Sequence, residues 1–249
     1  MTIAVLTALL SIALVAYFVK ALTGFGPAIV FVSLGSLLAS PKDIIIISVI
    51  LDIAGGIYLF LLDRGFEHFK YLIALAVPAV AGTFLGVISL KIVPVDIFEA
   101  ILAIIIFILG LWFLILFQSR SQISVSTDVP RLPDCKGLIC AAIGGITGGL
   151  FGISGPPIIW YFGHRYSKQT VRKLLVPLFL IEACGRLALY FSFDLVQPQH
   201  IITAGFIVPA LFVGLIAGNS MHVKISEKTF RQIIGFILIV VSIKMFFQS

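Results

Sequence analysis

Residues 148–164 read GGLFGISGPPIIWYFGH, which places five glycines and two adjacent prolines where an apolar segment ought to run straight. Residues 20–31, KALTGFGPAIVF, repeat the pattern near the start of the chain. Proline inside a helix removes a donor and clashes with the preceding turn, whereas proline at the first helical position does no harm. Both stretches therefore read as deliberate helix breaks, each followed by a new helix that starts at or near Pro27 or Pro156.

The solvent for those helices follows from composition. Of 249 residues, 60% are apolar and only 11% charged, against about a quarter charged in ordinary water-soluble domains. The run 97–117 (IFEAILAIIIFILGLWFLILF) is long enough to cross roughly 30 Å of hydrocarbon. Residues 44–62, 71–90, 174–193, 201–221 and 232–247 read the same way, so the fold class is an all-α polytopic membrane protein. The first twenty residues lack a basic leader and a small-residue cleavage site, and the expectation is that they stay in the mature chain. Cys135, Cys140 and Cys184 show no C-x-x-C spacing and no histidine cluster, which argues against a metal site and a metal cofactor. Mononucleotide, dinucleotide and zinc-protease motifs are missing, so neither a cofactor nor an enzymatic reaction is expected. The net charge of +6 is the signature of cytoplasmic loops, not of nucleic-acid binding.

An internal repeat runs through the chain. Gly26-Pro27 matches Gly155-Pro156, Asp52-x-x-Gly55 matches Glu182-x-x-Gly185, and Val77-Pro78-Ala79 recurs as Val208-Pro209-Ala210. Gly82-x-x-x-Gly86 recurs as Gly214-x-x-x-Gly218, and Phe98 as Phe230; the separation drifts only from 129 to 132. The expected halves are 1–117 and 136–249, joined by the polar linker 118–135 (QSRSQISVSTDVPRLPDC). Each half holds a broken pair of short segments (3–20 with 26–39; 137–151 with 156–163) and then three full spans. A pair that returns to its own side leaves an odd number of crossings, which predicts that the second half is inverted relative to the first.

Basic residues support that topology. The loops at 63–70, 118–136, 164–173 and 222–231 would share one side and hold twelve of the seventeen lysines and arginines. The other side would hold Lys42, Lys91 and Lys244, and Lys20 and Arg186 fall within segments. The basic side is expected in the cytoplasm, with both termini external.

Each break should expose the N-terminal end of a half-helix, with free N–H donors and about half a positive charge. Thr23 and Ser154 can cap the free amides, and Gly24, Gly26, Gly152 and Gly155 permit unusual dihedrals and close backbone approach. Two such ends brought together by an inverted repeat make an anion site near the midplane, the geometry of secondary transporters. The candidate substrate-binding residues are accordingly Thr23, Gly24, Gly26, Pro27, Gly152, Ser154, Gly155, Pro156 and Arg186. Gly144 and Gly148, and the Gly82/Gly86 and Gly214/Gly218 pairs, read instead as close-packing positions.

Asp52 and Glu182 each fall near the middle of a span, where an ionised side chain costs at least about 2.5–3.5 kcal/mol on insertion scales. They are the candidate coupling residues. Arg186 lies one turn beyond Glu182, so a buried i,i+4 pair is available, and a purely structural reading would stop there, with Asp52 protonated or capping a neighbour. The repeat sets Gly56 opposite Arg186, so the site would be asymmetric. Lys20 either attracts the anion or snorkels to the interface. His164 and Arg165 read as ordinary residues of the cytoplasmic face; Trp112 and Trp160 read as packing or lipid-facing.

The duplicated body, the G-F-G-P of Gly24–Pro27 and the G-x-S-G-P-P of Gly152–Pro157 resemble the sulfite exporter TauE/SafE family over nearly the whole chain. That resemblance implies a permease of a bacterial or archaeal plasma membrane for sulfite, sulfonates or related sulfur anions. The expected partners are a small anionic substrate, membrane lipids and a coupling proton or ion, with the oligomeric state open. Rival readings are a transporter of another small anion, a transporter of a metal cation, and an intramembrane enzyme built on Asp52, Glu182 and His164. His164 at the membrane edge speaks against the last, and the shortage of mid-membrane oxygen ligands against a cation.

Overall fold

Glycine–proline breaks and short turns divide the chain into ten α-helices among the residues that the computed structural model describes, which are 3–23, 26–63, 68–115, 129, 132–163, 165–220 and 227–248. In chain order they are α1 (Ile3–Thr23), α2 (Pro27–Gly35), α3 (Pro41–Asp63), α4 (Phe69–Ile92), α5 (Val95–Ile115), α6 (Cys135–Phe151), α7 (Gly155–Gly163), α8 (Lys168–Ser192), α9 (Pro198–Ser220) and α10 (Glu227–Gln248). Most of the linker 118–135 lies outside the described residues, as do Arg64, Arg120, Arg131, Lys224 and His164.

Six helices, α1, α3, α4, α5, α8 and α9, are long and apolar enough to cross a membrane. Two details differ from the sequence reading. The first member of each broken pair is not short: α1 has 21 residues and α6 has 17. Only the second members are stubs, since α2 and α7 have nine residues each and reach about 13 Å. In α10 the helix begins in polar residues, which leaves the shorter apolar stretch Ile234–Phe247. The outer surface is apolar, with Ile104, Ile108, Ile202, Phe206, Phe236 and Phe246 all exposed. No water-soluble fold presents such a face on several helices at once, and lipid covers it.

The main helix contacts correspond when α1–α5 are exchanged with α6–α10, although α2 packs on α10 without a comparable contact between α7 and α5. α1 packs on α9 as α6 packs on α4; α3 meets α9 as α8 meets α4; α3 lies on α8, and α5 on α10. The equivalent glycines do equivalent work. A Cβ on Gly82 would run into the Ala142 carbonyl and one on Gly86 into the Ile146 carbonyl, both in α6. A Cβ on Gly214 would meet the Leu14 carbonyl, and one on Gly218 would lie 2.6 Å from the Phe18 carbonyl, both in α1. The residue numbers climb together across both contacts, so α1 runs parallel to α9 and α6 parallel to α4. Such backbone-to-backbone approach is how membrane helices gain packing energy without a hydrophobic driving force.

Side-chain contacts sort the helix ends into two sets. At one end, Lys42 of α3 donates to the Val93 carbonyl after α4 (2.7 Å), and His200 of α9 donates through Nε2 to Asp43 (3.1 Å). At the other, Tyr71 of α4 meets Tyr161 of α7 at 3.3 Å and Tyr166 before α8 at 3.4 Å. Asp134, which caps α6 by accepting from the Gly137 amide (3.0 Å), also accepts from Tyr161 (2.6 Å) and Arg165 (2.7 Å). The start of α3 therefore lies with the start of α9, and the start of α4 with the start of α8. It follows that α3 and α8 run in opposite directions, as do α4 and α9.

Partial burial works against ionising Asp134, but the bonds from Tyr161, the Gly137 amide and Arg165 outweigh it and hold the carboxyl below its ordinary range. A depressed value means that the cap is intact above the ordinary value near 4 and is lost as pH falls through the folded one. Hydrogen exchange of the first turn of α6 should stay protected from neutral pH down to about pH 4, and Arg165→Ala should move its loss to higher pH. For the packing, Gly82→Ala should destabilise the protein by about 1–3 kcal/mol in denaturant titration. Gly205→Ala, where a Cβ meets nothing within 4 Å, should cost nothing.

Candidate functional site

Two residues make the breaks. Gly26 has φ 88° and ψ 7°, and Gly152 has φ 74° and ψ 5°. Both occupy the left-handed region, where a Cβ is penalised, so these two positions need glycine. Gly26 is the cap of α2 without a side-chain bond, and Pro27 is its first residue. Gly152 closes α6 by donating its amide to the Gly148 carbonyl at 2.9 Å. On the first break, Thr23 ends α1 but its side chain, like Gly24, lies outside the described residues.

The starts of both stubs line one cavity. Gly26, Pro27, Ala28 and Ile29 form one wall, and Gly152, Ile153, Ser154 and Gly155 form another. Lys20, Asp52, Glu182 and Arg186 complete it, with Gly56, Phe179 and Leu180 among the apolar lining. Its volume of about 50 Å³ suits three or four waters at ~10–15 Å³ each. The first turns of α2 and α7 border this space; Pro27, Pro156 and Pro157 bring no N–H, which leaves Ala28, Ile29 and Gly155 as the helix-start amides on its wall.

Arg186 is bound first by backbone. Its Nη1 donates to the Gly148 carbonyl at 2.8 Å, and the neighbouring Gly149 carbonyl accepts from Tyr190 at 3.0 Å. The Gly148 carbonyl, which already accepts from the Gly152 amide, thus takes a second donor from α8, and the Gly149 carbonyl at the end of α6 is met by Tyr190 of the same helix. The same guanidinium reaches across to α3, with Nη2 at 3.4 Å from Asp52 Oδ2. Lys20 of α1 approaches the other oxygen of Asp52, also at 3.4 Å, and Tyr17 donates to that oxygen at 3.1 Å. One carboxylate therefore stands between two cations, and all three are nearly enclosed: side-chain exposure is 13% for Asp52, 8% for Lys20 and 2% for Arg186. Nε of Arg186 is buried without a hydrogen-bond partner among the described residues.

Glu182 stands apart from this set. It is 2% exposed, its Oε1 has no hydrogen-bond partner among the described residues, and no ion pair joins it to Arg186 there. The i,i+4 pairing that the spacing allows is replaced by the Arg186–Asp52 bridge between α8 and α3. Arg186 is drawn to Gly148 and Asp52 together, and that leaves Glu182 facing the cavity beside Ser154 and Gly148.

Of the residues singled out in the sequence, Gly26, Pro27, Gly152, Ser154, Gly155, Asp52, Glu182 and Arg186 share the cavity; Pro156 is not on its wall. Lys20 points inward, only 7% exposed, and does not snorkel. Arg165 belongs to the Asp134 cap, at the far end of α7 from the cavity. Tyr17 and Tyr190 escape a reading by residue type, because a tyrosine in an apolar run looks like any packing aromatic. A signal existed for Tyr17, which lies one turn before Lys20 on one helix face.

Removing Asp52 leaves two buried cations without a counter-charge. Asp52→Ala should therefore cost about 3–5 kcal/mol in denaturant titration, against about 1 kcal/mol for Tyr17→Phe, which removes one hydrogen bond.

Comparison with known families bears on what such a cavity serves. A family model described as Sulfite exporter TauE/SafE matches residues 9–245, nearly the whole chain. The chain belongs to that family, and it is a multi-pass membrane protein of a transporter family. No curated protein and no solved structure matches it.

Proposed function

We propose that this member of the sulfite exporter TauE/SafE family is a secondary transporter that exports a small sulfur-containing anion, such as sulfite or an organosulfonate, by alternating access to a site near the midplane. One observation carries the reading: the first turns of both stub helices line the same small cavity as Lys20 and Arg186. Backbone amides and two cations attract an anion, and a metal cation would meet both positive groups at once. The volume suits an oxyanion of four or five heavy atoms.

Within the site, the amides around Gly26–Ala28 and Gly152–Gly155 hold the anion's oxygens, with Ser154 beside them. Arg186 supplies charge through the edge that Asp52 does not occupy. Asp52 or Glu182 couples the movement to protons. An inverted duplication organises these parts; the opposed directions of α3 and α8 and of α4 and α9 support it. The end that carries Lys70, Lys136, Arg165, Arg172 and Lys173 faces the cytoplasm of a bacterium or archaeon, and both termini lie outside.

Reconstituted in liposomes, the protein should carry at least one of sulfite, thiosulfate, sulfate, sulfoacetate and taurine, with a rate that responds to a pH gradient. Arg186→Ala should lower that flux about 30-fold or more, the scale of removing one partner of a buried charge pair. Arg165→Ala should leave it within about twofold, because its partner Asp134 is an exposed cap with little at stake. Equal loss in the two variants, both folded, refutes the assignment of Arg186 to the site.

A further inference from the structure

The repeat gives the two halves one carboxylate each, Asp52 and Glu182, yet their surroundings have diverged. Asp52 has a cation on each oxygen and a phenol besides. Glu182 is buried against the same cavity with Oε1 unpartnered and no cation within ion-pair distance among the described residues. The groups that face it are Arg186 and Tyr190 on its own helix, Asp52 from α3, Thr83 from α4, Ser154 at the start of α7, and Lys20 and Tyr17 from α1 around the shared cavity. All three cationic or acidic neighbours among them are already engaged with one another through Asp52.

Charge in so enclosed a space has to balance, because an uncompensated buried ion is costly. With both carboxylates ionised, Lys20 and Arg186 offset Asp52 and Glu182, and the empty site is neutral. A monovalent anion entering that site brings it to a net charge of minus one. It would also lie against an ionised Glu182 that meets no cation within ion-pair distance among the described residues and has only the hydroxyls of Ser154 and Thr83 nearby. One proton on Glu182 removes both difficulties: it restores neutrality and turns an acceptor into an O–H donor for an anion oxygen. Asp52 already meets a cation on each oxygen, Lys20 on one and Arg186 on the other.

We infer that Glu182 is the proton-binding group of the site, taking up one proton from solution for each monovalent oxyanion bound, while Asp52 stays ionised as the fixed counter-charge of Lys20 and Arg186. No covalent step is involved; the proton comes from water and is released when the anion leaves. The inference rests on the anion-transport reading and gives it a stoichiometry and a carrier for the coupling proton.

Calorimetric titration of the purified, detergent-solubilised protein tests it, with methanesulfonate as a monoanion that does not titrate near neutrality and sulfite as a second probe. Measured in two buffers of different ionisation enthalpy, methanesulfonate binding to the wild type should take up close to one proton. Its affinity should fall about tenfold per pH unit once Glu182 is ionised in the free protein. Glu182→Gln, which keeps the shape and offers a permanent N–H donor, should bind with no proton uptake and an affinity that does not change with pH. Anion binding by the wild type without proton uptake overturns the inference, as does a folded Glu182→Gln protein that retains the full pH dependence. Failure of both probes to bind the wild type is a different result: it removes the anion-site reading itself, and the inference with it.

Discussion

Everything polar in the centre of this bundle follows from the need to satisfy open backbone. A helix that stops inside hydrocarbon leaves carbonyls at its end and amides at the start of the next, and lipid offers them nothing. At the second break the carbonyls of Gly148 and Gly149 are met by Arg186 and Tyr190 of α8. That solution brings a guanidinium to the middle of the protein, and a buried guanidinium requires a counter-charge. Asp52 supplies it from the other half of the chain and holds Lys20 as well. One glycine with a positive φ thus entails an arginine, an aspartate and a lysine.

Stability alone does not account for keeping that set. Replacing buried ion pairs by well-packed apolar groups is often neutral or stabilising. Here both bridges are long, and two of the four buried side-chain atoms without hydrogen-bond partners among the described residues, Nε of Arg186 and Oε1 of Glu182, belong to residues on the wall of the same cavity. The main helix contacts around them correspond between the two halves, whereas the charges do not. Arg186 has Gly56 as its counterpart in the repeat. Lys20 has Gly148, judged by the partners of the matched glycine pairs: Leu14 and Phe18 on one side, Ala142 and Ile146 on the other. Each half contributes one cation, and each cation stands opposite a glycine.

How much of this could be read in advance depended on whether a residue's role is set locally. The spans were legible because hydrocarbon dictates length and polarity, and the breaks because glycine followed by proline has few other uses in an apolar run. Asp52, Glu182 and Arg186 stood out because charge at mid-span is expensive. Partners were another matter. Spacing of four residues makes a Glu182–Arg186 pair available without making it the lowest in energy; the decision lay with carbonyls of α6 and an aspartate of α3, both distant in sequence. Lys20, at the end of an apolar segment, looks the same whether it turns to the interface or inward. The lengths of α1 and α6 were underestimated for a related reason. A helix that packs along α9 or α4 through interlocked glycines can run well past the point where its stub partner ends.

Those interlocked glycines also bear on how such a site could open to either side. Rocking of residues 1–117 against 136–249 would have to part α1 from α9 and α4 from α6. At these contacts backbone lies on backbone, and a Cβ on Gly145 or Gly149 would run into the carbonyls of Ala79 or Thr83. Cores packed to that density are bistable at weaker seams and do not stretch at their tightest ones. The tight pairs cross the repeat boundary, so each half carries a helix that belongs mechanically to the other. The looser elements are the stubs α2 and α7, which are short, bounded by glycine at their starts, and in contact with the charges through their first turns. On the proposed transport, movement that exposes the cavity alternately would ask least of a slide of α2 and α7 past α3 and α8, with α1–α9 and α4–α6 as the frame. Such a frame preserves the Arg186 bond to Gly148 only while α6 and α8 keep their contact, and the Asp52 bridge, at 3.4 Å from each cation, is the weaker of the two links.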